Sequence, residues 1–89
     1  MSHSDAAVAE AIRTLVSSSP RSVSPDDVAR ALAGPEPAKW RLLMKQIRIQ
    51  ALALARAGEI AILRKGKPIE PDDLVGVYRL GRAEPGGEG

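Results

Sequence analysis

The sequence predicts a mostly α-helical domain closed by a small β-hairpin, an α+β fold, and three observations carry that expectation. Apolar residues recur at helical spacing in three separate stretches. Each stretch is bounded by residues that start or stop helices. After Gly58 the pattern changes to short β-favouring runs around a basic turn.

The first stretch places Val8, Ala11, Ile12, Leu15 and Val16 on one stripe of a helix that begins at Asp5. Ser4 is the expected cap, and Asp5 sits at the positive end of the helix dipole. The serines before Pro20 end this helix. Val23 is a lone apolar residue in an extended link, the expected third strand of the small sheet. Ser24-Pro25-Asp26-Asp27 is a strong helix start, because a Ser cap, a proline at the first helical position and two carboxylates all favour it. Val28, Ala29 and Leu32 form the apolar side of this helix, and Gly34-Pro35 stops it.

Pro37 opens the longest helix, expected to run to about residue 57, with Gly58 as its stop. Around its axis Trp40, Leu43, Met44, Ile47, Ala51, Leu54 and Ala55 share the core sector. Arg41, Lys45, Arg48 and Arg56 form a neighbouring basic stripe, and Leu42 and Ile49 lie almost opposite the core. Ile60 to Leu63 reads as a strand, residues 64–68 as a basic turn, residues 69–73 as an irregular excursion, and residues 75–80 as a second strand. The domain is expected over residues 5–82, with residues 1–4 a flexible N-terminus and residues 83–89 a disordered acidic, Gly-rich tail.

This order is helix, extended link, helix, tight turn, long helix, strand, basic loop, strand. The turn between the second and third helices has helix-turn-helix length, and a hairpin directly after the third helix marks a winged helix-turn-helix. A helix-rich α+β domain of another topology stays open.

Trp40-Arg41, Met44, Ile47-Arg48, Ala51, Leu54-Ala55 and Gly58 carry a resemblance to a bacterial family, domain of unknown function 3253. Val28-Ala29-Arg30 before them, and Arg64-Lys65-Gly66, Pro71 and residues 76–80 after them, are similar to it as well. The resemblance covers roughly residues 8–81 and implies a small bacterial winged-helix-like protein. It implies no activity, ligand or catalytic residue.

Composition bounds the chemistry. With 89 residues there is room for one domain, and with no Phe the core must be built from aliphatic residues and Ala. The absence of cysteine removes disulfides, thiolate catalysis and Cys-based zinc sites. No apolar run approaches the ~20 residues that span a bilayer. Nor does the N-terminus combine a basic region with an apolar stretch, so a cytoplasmic location is expected. The only imidazole, His3, belongs to the terminus, whereas a general base must be held in place. Asp26-Asp27 are explained as helix-start residues and Asp72-Asp73 as turn residues. Neither an enzyme, a metal site nor a cofactor is expected.

Charge is distributed unevenly. Between Lys39 and Lys67 stand eight basic residues and one acid, Glu59, a local balance of +7, while the remainder balances at −5 and the whole chain at +2. The expected working surface comprises Lys39, Arg41, Lys45 and Arg48 on the third helix and Arg64, Lys65 and Lys67 on the wing. A recognition helix enters the major groove of duplex DNA while a nearby loop grips phosphate. A solvated Arg-rich surface is the plain alternative, with Arg48 a structural residue paired to Glu10, Asp26 or Asp27. Leu42 and Ile49, with Ala53 nearby, suggest a different partner: a homodimer seam, a groove for another protein, or contact with the first helix. Two functions therefore stand side by side. One is a DNA-binding winged helix acting as a small transcriptional regulator or accessory factor. The other is a protein-interaction module on the same scaffold. Trp40 and Tyr78 read as core anchors.

Overall fold

The structure, a computed structural model, describes residues 3–83. The expected tail lies outside the described residues except for Ala83, as do Met1 and Ser2 of the expected flexible N-terminus.

Helix α1 (Asp5–Ser18) is capped by the Ser4 hydroxyl, which accepts from the Ala7 N–H at 3.0 Å. His3, next to that cap, offers its carbonyl to Gln46 Nε2 at 2.8 Å. Helix α2 (Pro25–Ala33) opens with a reciprocal capping box: Ser24 Oγ accepts from the Asp27 N–H, and the Asp27 carboxylate accepts from the Ser24 N–H, each at 3.1 Å. Gly34 closes it at φ 88°.

The expected long helix is present but not uniform. It runs as α3 (Pro37–Trp40), one 3₁₀ turn (Arg41–Leu43) and α4 (Met44–Arg56). In a 3₁₀ turn residues three apart eclipse. Trp40, just before the turn, and Leu43, its last residue, keep the same side that an α-helix would give them, and both are buried. The end of α4 satisfies two of its last carbonyls through Gly58 at φ 80°: the Gly58 N–H donates to Ala55 and the Glu59 N–H to Leu54.

Strands β1 (Ile60–Arg64), β2 (Lys67–Ile69) and β3 (Arg79–Arg82) form an antiparallel sheet in the order β2-β1-β3. Val23 extends it by an isolated bridge, exchanging two 2.8 Å backbone hydrogen bonds with Leu80 on β3. Val23 thus joins the sheet as expected, but as a single-residue bridge beside β3 rather than as its third strand. The expected pairing of the first and last strands is present, with Ile60 opposite Arg82 and Leu63 opposite Arg79.

The strands differ from the sequence expectation: Arg64, expected in the basic turn, ends β1, and the last strand runs to Arg82 rather than residue 80. The last strand begins at Arg79 rather than at residue 75, because Gly76 takes φ 70°, which interrupts any extended run there. Residues 67–69, assigned to the basic turn and excursion, form a further strand on β1. Pro68 is tolerated in it because β2 is an edge strand, where a missing N–H costs the ladder little.

Ile12, Ile47, Ile62, Leu80, Val8 and Val28 are fully buried, so all three helices and the sheet close on one aliphatic core. Trp40 and Tyr78 lie at its margin, each 8% exposed. Leu74 is buried as well and anchors the irregular connection between β2 and β3.

Candidate nucleic-acid interface

The β1–β2 register pairs Arg64 with Lys67, which leaves a two-residue loop, Lys65-Gly66. Both residues have positive φ, 53° and 81°. That is the requirement of the type I′ turn, whose twist matches the flanking strands. Lys65 and Lys67 are exposed on either side of Gly66.

On the helical segment Lys39, Arg41 and Lys45 are all exposed. Lys39 pairs with Glu36 at 3.2 Å, a bridge that both partners make in solvent. The Arg41 guanidinium lies 5.5 Å from the centre of the Trp40 ring, and Arg30 lies 4.8 Å from the same centre. Trp40 is thus a core residue whose ring also carries cations. Arg30 was not among the expected site residues; its spacing to Asp26 and Asp27 signals only helix pairing, which it also makes. Arg41, Lys45, Lys65 and Lys67 take part in no salt bridge among the described residues.

The remaining arginines of the basic stretch are engaged. Arg48, half-buried, donates to the Leu74 carbonyl at 3.2 Å. Arg56 bonds the Asp72 carboxylate at 2.9 Å, and Arg64 donates to the Val75 carbonyl. The structure does not bring Arg48 to Glu10, Asp26 or Asp27: Glu10 pairs with Arg13, and both aspartates pair with Arg30. Gln46 Nε2, next to Lys45, donates to the His3 carbonyl at 2.8 Å and to the Asp5 carboxylate at 2.9 Å, which ties α4 to the start of α1.

Leu42 is 80% exposed and Ile49 53% exposed, and Ala53 is exposed one turn beyond Ile49. Leu42 and Ile49 are therefore outside the core rather than packed on α1. Val75 and Val77 are also exposed, and sequence reasoning missed them because their alternation reads as a strand.

Of the acidic pairs, Asp26-Asp27 start α2 and Asp72-Asp73 lie in a 3₁₀ turn (Pro71–Asp73). No group of three or more potential metal ligands occurs among the described residues. No described helix is long and apolar enough to cross a membrane.

Three helical segments joined by short turns, a small antiparallel sheet and a lysine-flanked hairpin define an α+β domain whose layout is compatible with a winged helix. More particularly, the chain belongs to the family described as "Protein of unknown function (DUF3253)", whose model matches residues 5–83. No curated protein matches it.

Proposed function

We propose that this chain is a winged-helix nucleic-acid-binding protein that takes duplex DNA, a small transcriptional regulator or accessory factor of the bacterial cytoplasm. One observation carries the reading. Exposed cations without acidic partners among the described residues stand on both elements that such a fold offers to DNA: Arg41 in the 3₁₀ turn and Lys45 in the first turn of α4, and Lys65 and Lys67 at the hairpin turn. Lys39 joins them from α3, and Arg48 and Arg64 border the surface. The helix supplies groove contacts and the hairpin grips phosphate.

Each neutralised phosphate contributes about −0.9 to the slope of log affinity against log salt, so four cations give a slope of about −3 to −4. Fluorescence anisotropy with a labelled mixed-sequence duplex, titrated from low to physiological salt, measures it. Micromolar or tighter binding at low salt with that slope supports the reading, and no binding at low salt overturns it.

The exposure of Leu42 and Ile49 favours a second reading, a protein-interaction module using Leu42, Ile49 and Ala53 in a homodimer or with another protein. Sedimentation of the wild type and of Ile49→Glu tests the homodimer. Self-association lost in a variant that still folds supports it, and a wild type that stays monomeric removes it.

A further inference from the structure

Three arginines from two elements converge on the connection between β2 and β3. Arg48 and Arg56 extend from α4 to the Leu74 carbonyl and the Asp72 carboxylate. Arg64 extends from the end of β1 to the Val75 carbonyl. Next in the chain is Gly76 at φ 70°, where a side chain would place its Cβ 3.5 Å from Arg64 Nη1. Buried Leu74 fixes the middle of the segment in the core. The chain of contacts thus runs from α4 through residues 72–75 to Arg64, the residue adjacent to the hairpin turn.

This path matters because the outer half of the hairpin has little else to hold it. Ile60 and Ile62 of β1 are buried, but Leu63 and Arg64 are only half-buried, and β2 is an edge strand of three residues. We infer that Arg48, Arg56 and Arg64 are positioning residues, a clamp that sets the lysine-bearing hairpin against the third helix, and that the phosphate contacts are made by the lysines and Arg41. The inference rests on the DNA-binding reading for its consequence, but the clamp itself is testable without DNA.

A guanidinium that bonds a backbone carbonyl leaves other N–H groups available, so geometry alone does not separate a clamp from a phosphate ligand. The salt slope does, because it counts phosphate contacts. The first variant is Arg64→Gln, since Arg64 is nearer the surface than Arg48. The second is Gly76→Ala, whose Cβ would make only ordinary contact with Arg64 but which strains the backbone next to Val75 at φ 70°, without changing charge. The independent readout is hydrogen exchange at the Asp73 and Leu74 amides, which donate to the Glu70 and Pro71 carbonyls within the clamped segment. Amides of α4 serve as the reference for global stability.

With a clamp, both variants speed exchange at Asp73 and Leu74 relative to α4, by about tenfold for one charge-assisted hydrogen bond. Both lower DNA affinity several-fold and leave the salt slope within error of the wild type. Unchanged exchange at Asp73 and Leu74 in both variants overturns the clamp. A slope reduced by about 0.9 in Arg64→Gln makes Arg64 a phosphate ligand and overturns its exclusion from the DNA surface. If the wild type binds no DNA at all, the DNA-binding reading fails, and the exchange data alone decide whether the clamp exists.

Discussion

Lys65 holds a left-handed backbone conformation that its neighbour Gly66 adopts without steric conflict. For a residue with a long side chain this is unfavourable, and Asn is the residue that two-residue hairpin turns prefer in that place. The hairpin therefore keeps a lysine where local backbone energetics would choose otherwise, which is how strain is expected to fall at a functional position. Lys65→Asn separates the two demands. It should stabilise the protein by about 0.5–1 kcal/mol, raising Tm by several degrees, since left-handed Asn carries less conformational cost. The same change should weaken DNA binding and reduce the salt slope by about 0.9. Thermal melts and anisotropy on one preparation check both. A parallel loss of stability would mean that Lys65 is held by packing rather than kept for its charge. Lys65→Ala combined with Lys67→Ala should weaken binding to every duplex sequence alike and flatten the slope by about 2, because phosphate contacts carry no sequence information.

Among the elements, α2 draws its start from one reciprocal pair. Ser24→Ala removes the cap on the Asp27 N–H and leaves the Asp27 carboxylate to hold the Ser24 N–H alone. The expected cost is about 1 kcal/mol, or roughly 4–8 °C in Tm for a domain of this size, read by thermal denaturation. Features of this kind were legible in the sequence because they depend on neighbours: the Ser24 cap (though not the reciprocal bond from Asp27), the α1 stripe, the Gly34 and Gly58 stops, and the lysines around Gly66. What escaped depends on distant partners. The strand at Lys67–Ile69 contains Pro68, which argues against a strand until the edge position is known. Val75 and Val77 alternate as a strand does, yet Gly76 turns the backbone between them and Leu74 takes the core position. The 3₁₀ turn escaped because Trp40, Leu43 and Ile47 share a face under either helical geometry. At the site, the charge of Arg48 and Arg64 was plain, but their acceptors are the main-chain carbonyls of Leu74 and Val75, which no side-chain pattern encodes.

Across the molecule, stability should respond to pH at both ends of the scale through groups that join separate elements. Arg13 on α1 bonds Glu59 at the α4–β1 corner, at 2.8 Å, and this hydrogen bond holds the Glu59 carboxyl below its ordinary value of 4.5. Partial desolvation opposes the shift and the Arg13 charge adds to it. A depressed carboxylate contributes stability above its unfolded pKa and loses it as pH falls through the folded one. The melting temperatures of the wild type and Glu59→Gln should therefore differ at neutral pH and converge in acid. The difference should be small and reduced by salt, because the pair is exposed. Tyr78 acts at the other end. Burial raises its pKa above the ordinary 10.0, with the Arg48 charge opposing and the Asp26 charge adding to the rise. A phenol that holds its proton more tightly when folded leaves stability unaffected below pH 10 and lowers it as pH climbs from there toward the folded pKa. Tyr78→Phe removes that proton. In thermal melts from pH 7 to 11, the wild type should lose stability relative to Tyr78→Phe from about pH 10 upward, and parallel curves would show that the ring's burial does not govern its titration.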